Sequence, residues 1–136
     1  QINYEYLNEI LKVFLDSETP TVDWESFEEL RNVDGNDENF IFHIRLLSDG
    51  GLIANINGES SMKSLGILPT ACDYVISITP WRLTLGGHDF ANKLAKPEVL
   101  AVIIDKFKKD GLSTVMEVAT EIVKQIANKK LEEIFK

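Results

Sequence analysis

Apolar residues recur at helical spacing over most of the chain, and the first such run lies at the N-terminus. The pattern predicts a helix over residues 3–15, with Asn3 as its N-cap and four apolar residues on one face: Tyr4, Leu7, Leu11 and Phe14. Pro20 ends this run because proline cannot continue a helix. A second helix is predicted from Asp23 to Arg31, with Trp24, Phe27 and Leu30 facing inward, followed by a turn over residues 32–36.

The clearest pattern runs from Asp37 to Ile53 and predicts a helix, a glycine stop and the start of a strand. Asp37 is the expected N-cap, and Gly50 or Gly51 is expected to supply the left-handed residue at the C-terminus. The helix should span about ten to twelve residues. Its core stripe is expected to contain Phe40, Ile44 and Leu47.

The hydrophobic period changes after Gly51, where a short strand is predicted over residues 52–57, closed by an Asn57-Gly58 turn. The apolar run that begins at Tyr74 is expected to pair with this strand. Residues 58–73 between them show little periodicity and predict a long loop with a loose tip and an apolar base. A bend at Pro80 then leads into a segment that begins at Arg82.

Three further helices are expected toward the C-terminus. The first runs from Leu85 to Lys96 with Thr84 as N-cap, and Gly87 in its first turn indicates close backbone packing. The second follows Pro97 and should be nearly buried, because residues 99–104 are all apolar. The third runs over residues 113–135, capped by Ser113 or Thr114, with this inward stripe: Val115, Met116, Ala119, Ile122, Val123, Ile126, Lys130 or Leu131, and Ile134.

These elements predict an α+β fold that is mostly helical. Residues 1–85 are expected to form a winged helix-turn-helix core of three helices and a two- or three-stranded wing, and residues 86–136 to form a C-terminal helical extension. The length of 136 residues, with 44% hydrophobic and 26% charged residues, is typical of a single globular domain.

Charge is distributed unevenly along the chain. Residues 1–50 hold three basic and twelve acidic groups, a net charge of −9, whereas residues 51–96 have a net charge of +1 and the rest is balanced. A DNA-binding protein gains most of its non-specific affinity by neutralising phosphates with Lys and Arg. The predicted helix-turn-helix half is therefore poorly suited to approach a polyanion.

The sequence contains neither an apolar run of about 18 residues nor a basic and apolar leader, so no membrane association is expected. Cys72 is the single cysteine and can form no internal disulfide, which favours the cytoplasm. Because the chain begins at Gln1 rather than Met, either a few preceding residues or a processed leader is expected to be missing, and the first alternative is favoured.

Two segments carry a family likeness: HIRLLSDGGLI over residues 43–53 and RLTLGGHDFANKL over residues 82–94. With the lysine- and leucine-rich helices that follow, they resemble an uncharacterised bacterial and phage-associated family of unknown function, whose members carry HL..L...GLI and RLT..GHDF segments. The resemblance implies a winged-helix-like fold and brings no known activity. Leu85-Gly86 stands where that family has Trp-Glu.

Candidate catalytic and metal-binding groups are sparse. His43, His88 and Cys72 lack the spacing of a zinc site, and a structural hydrogen bond is expected for His43. His88-Asp89 at a helix start is interpreted as capping and packing rather than a catalytic dyad. The acidic clusters at residues 23–29 and 34–38 do not match a calcium loop and are interpreted as solvated faces. We therefore expect no catalytic residue, cofactor or metal.

The leading hypothesis is a non-enzymatic protein-interaction or dimerisation module, either a homodimer or a complex with a protein partner. The candidate partner-binding residues are Phe42, Met116 and Ile126. The alternative is a DNA-binding transcriptional regulator of bacterial or prophage origin, with nucleic-acid contacts at Arg45, Lys63 and Arg82. An enzyme ranks last among the three.

Overall fold

The computed structural model describes residues 1–31 and 37–136, and this part of the chain is α+β and mostly helical. It contains these elements in chain order: α1 (Tyr4–Asp16), a 3₁₀ helix (Trp24–Phe27), α2 (Glu38–Asp49), β1 (Ile53–Ala54), β2 (Ile67–Pro69), β3 (Tyr74–Ile76), β4 (Arg82–Leu83), α3 (Leu85–Leu94), α4 (Pro97–Lys106) and α5 (Leu112–Ile134). The turn predicted over residues 32–36 lies outside the described residues.

α1 and α2 form where the apolar spacing predicts them. The side chain of Asn3 accepts a hydrogen bond from the Tyr6 main-chain N–H and caps α1. Phe40, Ile44 and Leu47 are buried along α2, and Gly51 follows that helix with a φ of 66°. Asp37 occupies the N-cap position of α2, but the prediction that its side chain caps the helix is wrong because that side chain makes no cap hydrogen bond.

The second predicted helix is only a single 3₁₀ turn. Asp23 caps it as expected, in a capping box with Ser26. Trp24 and Phe27 lie three residues apart, so this tight turn places both on one side, where both are buried. The segment is a 3₁₀ turn rather than the longer helix predicted, and the Leu30 carbonyl beyond it accepts a hydrogen bond from the Tyr6 hydroxyl at 2.6 Å.

The strands pair differently from the prediction. β1 pairs antiparallel with β4, with Ile53 opposite Leu83, and not with the segment that begins at Tyr74. β3 instead forms a hairpin with β2, with Leu68 opposite Val75. Gly66 lies immediately before β2 and has a φ of 80°. A Cβ atom at this position would collide with the Ser77 carbonyl, so glycine allows the two ends of the hairpin to approach each other.

The predicted loop over residues 58–73 is therefore largely structured. Of the apolar base expected over residues 65–69, Leu65, Gly66 and Ile67 are buried, whereas Leu68 and Pro69 are exposed, and β2 takes up part of the expected loop. The indole Nε1 of Trp81 donates a hydrogen bond to the Leu65 carbonyl at 2.7 Å. Trp81 also forms an isolated antiparallel bridge with Val22, so residues 81–83 lie between Val22 and β1.

α3 begins as predicted, because the Thr84 side chain accepts a hydrogen bond from the Gly87 main-chain N–H. The close packing expected at Gly87 is confirmed, since a Cβ atom there would collide with the Leu52 carbonyl. Phe90 and Leu94 are buried. α3 contacts α1, α4 and α5, so it belongs to the same core as the first half of the chain.

The two C-terminal helices are more exposed than predicted. α4 contacts its neighbours on one side only, so Val99 and Ile103 are buried whereas Ala101 and Val102 are exposed. α5 is capped at Gly111, without a side-chain hydrogen bond, rather than at Ser113 or Thr114. Val115 and Ala119 are the residues of α5 that are fully buried, and every residue from 127 onward is exposed.

Candidate partner-binding surface

The exposed side of α2 adjoins the β2–β3 hairpin. The Nη2 atom of Arg45 donates a hydrogen bond to the Tyr74 hydroxyl at 3.2 Å, which joins the helix to the first residue of β3. Phe42, one turn earlier, is 40% exposed and contacts the His43 ring edge-on with 5.1 Å between ring centroids. An aromatic ring and a cation therefore share one accessible face of α2.

His43 supports this face from within the core. It is fully buried, its Nε2 accepts a hydrogen bond from the Asn3 main-chain N–H at 3.0 Å, and its Nδ1 lies 2.8 Å from the Asn39 carbonyl. Because Nε2 is the acceptor, the proton of the neutral ring lies on Nδ1 and is donated to Asn39. These contacts confirm the structural hydrogen bond expected for His43. Burial also lowers the pKa of its imidazole.

The three cationic residues predicted to contact nucleic acid have different neighbours. Arg45 contacts the hairpin through the Tyr74 hydroxyl. Arg82 is half-buried on β4, where its Nη1 lies 3.4 Å from the Leu83 carbonyl and its Nη2 approaches the turn at Gly58. Lys63 is exposed within the turn that precedes Gly66.

The predicted partner-binding residue Met116 lines an open groove between α2 and α5, with a volume of about 470 Å³. Leu46, Gly50 and Leu112 provide its other apolar walls, and Asp49 and Glu117 form an acidic rim. Leu46 lies one turn after Phe42 on α2. Phe42 and Met116, two of the three predicted partner-binding residues, therefore lie on neighbouring surfaces.

Ile126, the third predicted partner-binding residue, is half-buried on α5 at the point where the helix leaves the rest of the domain. Beyond it, Leu131 is 50% exposed, Ile134 is 71% exposed and Phe135 is 82% exposed. Sequence reasoning assigned Leu131 and Ile134 to the core because their spacing continues the buried stripe. The available signal was length, since 23 residues form a helix of about 34 Å, longer than the body of a small domain needs.

Leu68 and Val75 form a second exposed apolar pair that sequence reasoning missed. They lie opposite one another on the outer face of the hairpin, with exposed fractions of 36% and 53%. Alternation along β2 and β3 was the available signal, but it becomes informative only once the two strands are known to pair.

An acidic surface lies between α1 and the 3₁₀ helix. Its lining includes Glu9, Glu25, Glu28 and Glu29, with Lys12 as the accompanying cation. These carboxylates lie on the half of the chain that has a net charge of −9. Their field opposes a nucleic-acid strand at this side of the molecule.

The remaining polar candidates form no reactive arrangement. His88 is exposed, and the carboxylate of Asp89 pairs with Lys93 at 2.7 Å. Cys72 is exposed and free in the β2–β3 turn. Among residues 1–31 and 37–136, no group of three or more His, Cys, Asp or Glu side chains is placed to hold a metal ion.

Comparison of the chain with protein-family models, with curated proteins and with solved structures found no match. In the described part of the chain, none of the helices combines the length and the apolar character that a membrane crossing requires.

Proposed function

We propose that this protein is a non-enzymatic protein-interaction module that forms a homodimer through the C-terminal part of α5. The observation that carries the proposal is the exposure of Leu131, Ile134 and Phe135 on a helix that continues beyond the domain body. Large apolar side chains clustered in water are characteristic of an interaction surface. Short helices without packing are also only marginally stable in water, so a partner would stabilise these last turns.

The scaffold we propose for this module is a winged-helix-like core, as the resemblance to the bacterial and phage-associated family implies. The order of α1, Val22, the 3₁₀ helix, α2 and β1 supports it, as does the placement of residues 81–83 between Val22 and β1. The β2–β3 hairpin then corresponds to an enlarged wing.

The dimer is tested by size-exclusion chromatography with light scattering over a concentration series. We expect twice the mass of one chain for the unmodified protein and the monomer mass for Ile134→Glu, because a buried unpaired carboxylate is unfavourable. Leu85→Glu is the matched control, since Leu85 is 88% exposed and belongs to α3 rather than to the C-terminal part of α5, and it should leave the dimer intact. A monomer at millimolar concentration, with circular dichroism showing folded protein, would contradict the proposal.

A second candidate function is duplex DNA binding through α2 and the hairpin. Arg45 favours it, because it is an exposed cation on α2, the helix that would enter the major groove if the core is winged-helix-like as proposed. A titration of binding against salt concentration tests it. We expect weak binding with a shallow salt dependence, and equal affinity for the unmodified protein and Arg45→Ala would exclude α2 as the reading element.

A further inference from the structure

The groove between α2 and α5, called the α2–α5 groove here, has apolar walls on both sides. Leu46 and Gly50 line it from α2 and the C-cap of that helix, and Leu112 and Met116 line it from the first turns of α5. Leu46, Leu112 and Met116 are half-buried, so each keeps part of its apolar surface accessible. Gly50 has no side chain to fill the space between the helices. The groove, with its volume of about 470 Å³, can therefore receive a large apolar side chain.

The rim of the α2–α5 groove is acidic, with one carboxylate on each wall. Asp49 at the end of α2 and Glu117 on α5 are both exposed, and none of the residues that line the groove is basic. Within the part of the chain that the structure describes, neither carboxylate takes part in an ion pair. The cation one turn before Asp49 is Arg45, which donates its hydrogen bond to the Tyr74 hydroxyl instead. A ligand in the groove therefore meets an unneutralised negative charge on either side.

We infer that the α2–α5 groove binds a peptide segment of a partner protein in which large apolar side chains are flanked on both sides by lysine or arginine. The apolar side chains lie against Leu46 and Met116, where burial removes apolar surface of both molecules from water. The flexible thioether of Met116 adapts to the shape of the side chain that enters. The flanking cations pair with Asp49 and Glu117, and the same carboxylates reject acidic segments.

The shape and charge of the α2–α5 groove determine which class of ligand fits. A small-molecule site encloses most of its ligand, whereas this groove lies open between two helices. An apolar side chain presented by a protein segment needs no such enclosure, because the rest of the segment stays on the surface. A nucleic-acid strand carries the same sign of charge as the rim and is repelled by it.

This surface is separate from the exposed end of α5 that we propose for the dimer. Glu117 lies near the start of α5 and Leu131 near its end, and the two positions are about 21 Å apart along the helix axis. The inference thus adds a second kind of partner to the proposed interaction module. Light scattering tests the dimer and peptide binding tests the groove, so either can fail without the other.

The test measures the binding of two labelled probe peptides to the full chain by fluorescence anisotropy at low ionic strength. One probe has two adjacent leucines between two pairs of lysines, and the other has alanines in place of the leucines. We expect the leucine probe to bind at least about tenfold more tightly, because it buries more apolar surface. Equal binding of the two probes, or no binding of the leucine probe, would overturn the inference.

Charge reversal on the rim tests where the leucine probe binds. The double variant Asp49→Lys with Glu117→Lys should weaken its binding by at least about tenfold, since each change removes an attraction and adds a repulsion. The matched control is Glu9→Lys with Glu28→Lys, which changes the net charge equally on the acidic surface between α1 and the 3₁₀ helix. The control should weaken binding by less than about threefold, because salt screens distant charges.

All four substituted residues are exposed, and circular dichroism verifies that both double variants are folded. Equal affinities of the rim variant and its control would show a general attraction between a basic peptide and an acidic protein, and would overturn the inference. A larger loss in the control would place the peptide on the surface between α1 and the 3₁₀ helix, and would overturn it as well.

Discussion

The main-chain N–H of Asn3 donates a hydrogen bond to Nε2 of His43 across 3.0 Å, and this bond joins the cap of α1 to the middle of α2. Asn3 has two roles, because its side chain caps α1 while its backbone holds the imidazole. Protonation of Nε2 would remove the acceptor and place a charge in the core. The junction of the two helices is therefore sensitive to acid.

This sensitivity predicts how stability depends on pH. Burial lowers the pKa of His43 in the folded chain, so the unfolded chain takes up a proton more readily. The stabilisation is fully present above the unfolded-state pKa of about 6.5 and decreases as the pH falls below it, toward the lowered pKa. Urea unfolding at several pH values between about 7.5 and about 5.5 should show a falling free energy of unfolding, in a range above most carboxylate titrations.

His43→Gln should weaken this pH dependence, because glutamine does not titrate. His88→Gln is the matched control, since His88 is exposed and should leave the slope unchanged. A slope that is the same in all three proteins would show that His43 does not control the acid response.

Tyr4 predicts a second response at alkaline pH. Burial, followed by the nearby carboxylate of Asp110, raises the pKa of its hydroxyl to about 12, and the hydroxyl donates a hydrogen bond to the Asp110 carbonyl at 2.6 Å. Because a tyrosine in the unfolded chain ionises near pH 10, the contribution of Tyr4 is fully present below that value and is lost as the pH rises toward 12. Phenolate absorbance should show a late-ionising phase for the unmodified protein, and this phase should be lost in Tyr4→Phe. If the late phase persists in Tyr4→Phe, another tyrosine is responsible.

Two adjacent glycines in α3 should respond to alanine in opposite directions. A Cβ atom at Gly87 would collide with the Leu52 carbonyl, so Gly87→Ala must displace the backbone and should cost about 1–3 kcal/mol or more. At Gly86 the nearest atom is the Leu52 Cδ2 at 3.8 Å, so Gly86→Ala should stabilise the protein by about 0.5–1 kcal/mol through helix propensity. Chemical denaturation of both variants measures the difference. Equal effects of the two substitutions would show that the backbones at Gly87 and Leu52 can separate without cost.

Truncation of side chains along α5 should show where the helix leaves the domain. Val115 is fully buried, so Val115→Ala should lower the free energy of unfolding by about 1–2 kcal/mol. Leu131 is half exposed, so in dilute monomeric protein Leu131→Ala should change the free energy of unfolding by less than about 0.5 kcal/mol. The measurement is urea unfolding at low protein concentration. A large loss for Leu131→Ala under these conditions would mean that the C-terminal part of α5 contacts its own domain.

The helices α1 to α5, unlike the 3₁₀ turn at Trp24, could be located from sequence because their signals are local. The stripe at Phe40, Ile44 and Leu47 and the glycine stop at Gly51 determine α2 without reference to the rest of the chain. The side-chain caps at Asn3 and Thr84 are equally local.

The strand partners could not be predicted because pairing depends on two segments at once. The run that begins at Tyr74 fits either β1 or β2 by pattern, and the close approach of Gly66 to Ser77 selects β2. The exposure of Val102 and Ile134 was missed for a related reason. Apolar spacing shows which side chains need cover, but not how far the domain extends to provide it.

The position of Trp81 has a consequence for how quickly the chain can fold. Its backbone pairs with Val22 and its indole bonds to Leu65, so one residue joins the early part of the sequence to the hairpin insertion. Both contacts close long loops, and loop-closure entropy must be overcome before such contacts stabilise anything. α1 and α2 can form rapidly from local contacts, whereas the rate-limiting step should be the arrival of Trp81 between Val22 and β1.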